Sequence, residues 1–111
     1  RQGDLIIASG YNVPGPEVEN VLQEREAVYV AAVVGTPDGQ GGTRVKAFVV
    51  TADGHDPSPE LTASLQEHVK DRIAPYKYPR EVEYVDDLPT TETGKIRRDR
   101  LREREQDRQD G

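Results

Sequence analysis

Apolar residues along this chain come in short runs separated by breakers, and each run carries the period of one element. Leu5-Ile6-Ile7-Ala8 is closed by Ser9-Gly10, which predicts a buried strand entering a turn. After the breakers Pro14-Gly15-Pro16, Pro16 suits the first turn of a helix, where its missing N–H costs nothing. Glu17 and Glu19 favour the positive end of that helix, and Val18, Val21 and Leu22 share one face, so it is expected to run to about Arg25. Val28 to Val34 is β-branched and apolar almost throughout, as in a strand covered on both sides. The stretch Gly35 to Gly42 reads as a loop, and Arg44 to Val50 as a second strand antiparallel to the first. Ser58 is a good N-cap with Pro59 and Glu60 behind it, and Leu61, Leu65 and Val69 form a stripe that predicts a helix to about Ile73. Ala74-Pro75 stops it. A short strand over Val82 to Val85, a Thr-rich loop and a basic helix from Ile96 complete the chain, with a frayed tail expected over 105–111.

This order gives an α+β fold, a two-layer sandwich with a small, mostly antiparallel sheet and helices packed on it, superficially ferredoxin-like. Such layers host many activities, so the pattern alone names none. At 111 residues the chain fits one domain, and 33% apolar against 32% charged residues points to a thin core. A chain that opens at Arg1 and contains no Met is expected to be a fragment of a longer protein.

Charge and cysteine usage narrow the function classes. Net charge is −6, from 21 acids against 15 bases, whereas a nucleic-acid binder normally carries a basic balance. The bases are uneven: Lys95 to Arg104 holds six of them with two acids. Asp99 with Arg102 and Arg100 with Glu103 are spaced i, i+3 there, as on a solvated helix face. With no Cys, disulfides and thiolate metal sites are excluded. No apolar stretch approaches the roughly 20 residues needed to span a bilayer, and no signal peptide is visible.

Most candidate chemistry is weak. His55 and His68 have no metal-ligand spacing around them, and His68 is expected to border the core. The Gly39 to Gly42 cluster lacks the Lys-Ser/Thr of a phosphate loop. Pro89-Thr-Thr-Glu-Thr-Gly-Lys95 is more promising. Its lysine follows a glycine just ahead of a helix, so an anion can sit against the ammonium and the helix N-terminus together. On the residues alone, a solvated lysine in a hydroxyl-rich turn is the reading to prefer.

Several motifs in order carry a resemblance over Arg1 to Leu101. They are Leu5 to Tyr11 with Pro16-Glu17-Val18-Glu19, Ala32 to Asp38, Val45 to Val50, Ala74-Pro75-Tyr76-Lys77-Tyr78-Pro79-Arg80, and Leu88-Pro89 through Gly94-Lys95-Ile96-Arg97-Arg98. The chain resembles the C-terminal domain of the adenylate-forming (AMP-binding) superfamily, of acyl- and aryl-CoA synthetase type. Gly10-Tyr11-Asn12-Val13 and Tyr76 to Arg80 look most like the benzoate and 2-aminobenzoate-CoA ligases.

The resemblance implies a mobile lid of a cytoplasmic ligase that uses ATP, CoA and a small carboxylic acid. An N-terminal partner domain would hold ATP with its Mg²⁺. Lys95 matches the family's adenylation lysine, and Ser9, Gly10 and Tyr11 match the loop that lines the pantetheine tunnel during thioester formation. Tyr76, Lys77 and Arg80 fall where related ligases hold the nucleotide end of CoA. Gly3 and Asp4 fall at the hinge, where Gly3 replaces the usual Asp or Lys. Such a lid is expected to be inactive alone. The alternatives are the lid of a peptide-synthetase adenylation domain, or a non-catalytic ferredoxin-like binding module.

Overall fold

The computed structural model describes residues 5–8 and 10–110, with side chains through Asp107. Gly3, Asp4 and Ser9 therefore lie outside the described residues. Strand β1 (Leu5–Ala8) pairs antiparallel with β2 (Tyr11–Pro14), from Leu5 opposite Pro14 to Ala8 opposite Tyr11. Gly10 takes a φ of 82° in the reversal, a region that side-chain-bearing residues rarely enter. The sequence reading ended this element at Ser9-Gly10 and missed β2, because Tyr-Asn-Val-Pro is too short to show a period.

Helix α1 (Gly15–Leu22) follows at once, with a proline in its first turn as expected, and ends three residues short of Arg25. A separate sheet has the order β3 (Val28–Pro37), β4 (Thr43–Thr51), β5 (Glu81–Tyr84). The β3–β4 pair is antiparallel, joined by a loop in which Asp38 Oδ1 accepts the N–H groups of Gln40 and Gly42 at 2.8 and 3.0 Å. The β4–β5 pair is parallel, so the chain must cross over between them, and it does so through helix α2 (Pro59–Arg72). Ser58 caps α2 as its position predicts, its Oγ accepting the Leu61 N–H at 3.0 Å. The result is the expected α+β class with a small mixed sheet. Its three strands and parallel β5 set it apart from the ferredoxin-like arrangement.

Strand alternation divides the core in two. Ala31, Val33, Val45, Ala47 and Val49 face Val18, Val21 and Leu22 of α1, Leu65 and Val69 of α2, and Ile6 and Val13 of the hairpin. Ala32, Val34 and Phe48 face the other way, onto Leu88, Ile96 and Leu101. The expected layer of helices on a sheet is thus formed by α1 and α2, while helix α3 (Arg98–Asp110) covers the opposite face.

Helix α3 brings only Leu101 as a buried apolar residue, and ionic contacts hold the rest of it. Lys46, 1% exposed in the middle of β4, donates to Glu105 at 2.8 Å and to Glu83 at 2.9 Å, and lies 3.3 Å from Glu81. Glu105 also accepts from the Thr36 hydroxyl at 2.9 Å. At the other end Arg98 grips the buried Glu19, its Nε at 2.7 Å. Helix α3 extends to Asp110, and Glu105, where the tail was expected to begin, is buried against a lysine 59 positions away.

Two further contacts fix the edges. The outward N–H groups of β3 at Ala31 and Val33 donate to Gln23 Oε1 and Glu19 Oε2, at 3.0 and 2.8 Å. Helix α1 thereby closes a strand edge that would otherwise invite pairing. His68 is half-buried at 3.0 Å from Glu24, which also takes Arg72 at 2.8 Å. Hydrogen bonds from Arg72 hold the Glu24 carboxyl down to about 2.

Candidate functional site

Lys95 sits at the end of a short closed loop. Thr90 and Ile96 form an antiparallel bridge, and the Arg97 N–H donates to the Pro89 carbonyl at 2.7 Å. Inside it the Thr91 N–H donates to the Lys95 carbonyl at 2.8 Å, and the Gly94 N–H to the Thr91 carbonyl at 2.9 Å. Gly94 has a φ of 86°, and a Cβ there would meet no atom within 4 Å, so conformation rather than space requires the glycine. Lys95 is exposed, and its ammonium makes no hydrogen bond or ion pair among the described residues. A lysine on a fixed backbone with a free head group is a cation ready for an anion brought from outside the domain.

The second group of expected residues assembles at the hairpin. Tyr11 and Tyr76, 65 positions apart in sequence, stack with ring centroids 4.6 Å apart and planes at 26°. Both remain partly exposed, at 54% and 37%. A small cavity of about 140 Å³ beside them is lined by Ala8, Tyr11, Asp38, Arg44, Tyr76 and Arg80, among others. Arg80 lies with its guanidinium 3.9 Å from the Tyr78 ring centre and donates to the Tyr76 and Tyr78 carbonyls, at 3.2 and 2.5 Å. Lys77 is drawn elsewhere: its ammonium is 2.5 Å from Glu17 of α1.

The structure therefore brings Tyr11, Tyr76 and Arg80 to one cavity, with Gly10 next to Tyr11 in the chain, sets Lys77 against a carboxylate, and places Lys95 in a separate loop. The hairpin packs Ile6 and Val13 into the core on the α1–α2 side of the sheet. The Lys95 loop is flanked by Leu88 and Ile96, which pack on the α3 side. Two candidate surfaces thus hang from opposite faces of one sheet. Sequence reading missed Arg44 and Asp38 beside the tyrosines, since nothing local distinguishes an arginine that opens a strand or an aspartate in a glycine-rich loop. Asp38 is held below the ordinary aspartate range by the backbone N–H groups of Gln40 and Gly42.

Residues 17–95 match the family of the AMP-binding enzyme C-terminal domain. The chain belongs to that family. It is 52% identical over 108 residues to the human mitochondrial acyl-coenzyme A synthetase ACSM2A, covering 95% of this chain and 18% of the relative. Among solved structures, the acyl-CoA synthetase of Brucella canis superposes with a TM-score of 0.93 at 44% identity, over 98% of this chain and 20% of that one. A benzoate CoA ligase from Burkholderia xenovorans LB400 superposes with a TM-score of 0.77 at 50% identity, over 81% of this chain and 18% of that one. The chain thus spans about a fifth of the length of the ligases it matches. The relatives that share this C-terminal domain are acyl-CoA synthetases and CoA ligases. No helix among its described residues is long and apolar enough to cross a membrane.

Proposed function

We propose that this domain is the mobile C-terminal lid of a cytoplasmic, ATP-dependent carboxylate–CoA ligase, inactive alone and complete only with an N-terminal domain that binds ATP, Mg²⁺ and the acid. In the first step a carboxylate oxygen attacks the α-phosphate of ATP, forming acyl-adenylate and expelling pyrophosphate. In the second the CoA sulfur attacks the acyl carbon, the thiol proton is lost to solvent or base, and AMP leaves. The two surfaces on opposite faces of the sheet carry this reading: a domain with two working faces must turn between steps to present each in its turn.

Lys95 serves the first step. Carboxylate and triphosphate repel each other as they approach, and a cation between them offsets the repulsion and stabilises charge on the transferring phosphoryl group. Gly10, Ser9 and Tyr11 serve the second, with Gly10 letting the backbone approach a slender pantetheine arm. Tyr76 and Arg80 offer an aromatic face and a guanidinium to the nucleotide end of CoA. Lys77 joins them on leaving Glu17. Gly3 and Asp4 form the hinge of the turn. The names of the relatives favour a CoA ligase over the lid of a peptide-synthetase adenylation domain, and the benzoate ligase among the solved structures favours an aromatic acid.

The full-length protein that carries this domain, given ATP, Mg²⁺ and CoA, should convert at least one acid in a panel of benzoates, aminobenzoates and medium-chain fatty acids to its CoA thioester, with AMP and pyrophosphate. Acid-independent nucleotide turnover, or no thioester with any acid, would sink the reading. Gly10→Leu should slow thioester formation from preformed adenylate by tenfold or more and spare adenylation. A Cβ at this position meets no atom within 4 Å, and the positive φ costs about 1–2 kcal/mol.

A further inference from the structure

We propose that Thr91 is a positioning residue for Lys95, acting through the lysine backbone. This inference rests on the adenylation role proposed above for that lysine. Thr91 holds Lys95 at both its backbone N–H and its carbonyl. Its N–H donates to the Lys95 carbonyl at 2.8 Å, and its Oγ1 accepts the Lys95 N–H at 3.1 Å. The same hydroxyl lies 3.0 Å from Thr93 Oγ1, which orients it from within the loop. Every other bond that closes the loop is made by backbone alone, through the Thr90–Ile96 bridge and the Arg97 N–H to the Pro89 carbonyl. Thr91 is thus the side chain through which sequence fixes the place where the lysine stem begins.

That place matters because the rest of the stem is free. The Lys95 ammonium has no partner among the described residues, so nothing in the domain orders it before the anions arrive. The rotamer freedom of a lysine must be lost at the moment of reaction, and any backbone freedom at its root would be lost as well. Gly94, at a φ of 86°, brings such freedom immediately beside it. The Thr91 hydroxyl takes the Lys95 N–H and removes that freedom in advance.

The test uses the full-length ligase with four versions of this domain: wild type, Thr91→Val, Thr91→Ser and Lys95→Ala. Valine keeps the shape and deletes the acceptor, and serine keeps the acceptor. Thr91 is half-buried in a surface loop, outside both core clusters, so neither change threatens the fold. Losing the acceptor for the Lys95 N–H in Thr91→Val should lower kcat for pyrophosphate release by roughly three- to tenfold. KM for ATP should stay unchanged, thioester formation from synthetic acyl-adenylate should keep its rate, and Thr91→Ser should remain within about twofold of wild type in kcat. Wild-type kcat in Thr91→Val overturns the inference. So does an equal fall in Thr91→Ser, or an equal fall in both half-reactions, because either result removes the hydroxyl's specific role. Lys95→Ala separates the two levels: intact adenylation there removes the lysine reading and this inference with it, whereas its loss beside a wild-type Thr91→Val removes the inference alone.

Discussion

Lys95→Ala in the full-length ligase is expected to lower the rate of acid-dependent pyrophosphate release by about 10²–10³-fold, the range seen when one preorganised group that stabilises transition-state charge is deleted. Thioester formation from preformed acyl-adenylate should be unaffected. The asymmetry follows from where charge develops. Adenylation brings a carboxylate against a triphosphate, so a cation has most to do there; the second step replaces phosphate by thiolate at an acyl carbon after pyrophosphate has gone. Lys95 is exposed and makes no ion pair among the described residues, so its removal breaks nothing within the domain. A loss in both half-reactions would therefore point to a different role, and stopped assays of the two half-reactions check it.

The largest expected effect on stability comes from Lys46→Met. This lysine is 1% exposed, and its ammonium is shared among Glu105, Glu83 and Glu81 and lies 4.8 Å from the Phe48 ring centre. Burial alone would push the Lys46 pKa down, but the hydrogen bonds and charges of these carboxylates outweigh it and raise it above the ordinary lysine value. The charged form is thus stabilised by folding. Its contribution is complete below the ordinary lysine pKa and is lost only as pH rises through the raised value, so neutral conditions keep all of it. Methionine fills the volume and takes the ammonium away from the buried Glu105 carboxylate. Breaking a buried pair in this way costs about 3–5 kcal/mol, a large part of the roughly 5–15 kcal/mol that holds a domain together. Urea unfolding followed by circular dichroism measures it. Adding Glu105→Leu to Lys46→Met should recover part of the loss, because the buried carboxylate that lost the ammonium goes with it. Single-variant stability within 1 kcal/mol of wild type would contradict this account of how α3 is held.

How far the fold could be read from sequence followed the range of the interactions. Helix α2 was legible because Ser58, Pro59 and the Leu61-Leu65-Val69 stripe are local signals that act within one turn, and the cap forms as expected. Strands β3 and β4 were legible because their apolar runs are long; β4 gains one residue at each end, and β3 runs on through Gly35, Thr36 and Pro37, which read as loop in the sequence. Strand β2 was not, since four residues beside Pro14 carry no period. The security of α3 was not either. Its sequence is polar all round apart from Leu101, and what fastens it is Lys46, read only as one residue of a strand. One local clue existed: a lysine between Val45 and Ala47, inside an apolar strand, has to find a buried partner.

The site divides in the same way. Lys95 and its glycine were legible as a motif, and the loop around them is closed by bonds spanning a few residues. The meeting of Tyr11 with Tyr76 depends on two segments 65 residues apart, as does the capture of Lys77 by Glu17 over 60. The motifs marked these residues as candidates for one ligand. Only the folded chain shows that the tyrosines stack on each other, that Arg44 and Asp38 stand beside them, and that Lys77 already has a carboxylate.

The two-faced lid is tested most directly by measuring both half-reactions on Lys95→Ala and Gly10→Leu side by side in the full-length ligase. The expected result is a crossed pattern. Lys95→Ala loses pyrophosphate release and keeps thioester formation from preformed adenylate, while Gly10→Leu keeps the first and loses the second. If each variant depresses both half-reactions alike, or neither, the two surfaces do not serve separate steps and the alternation proposed for this domain is wrong.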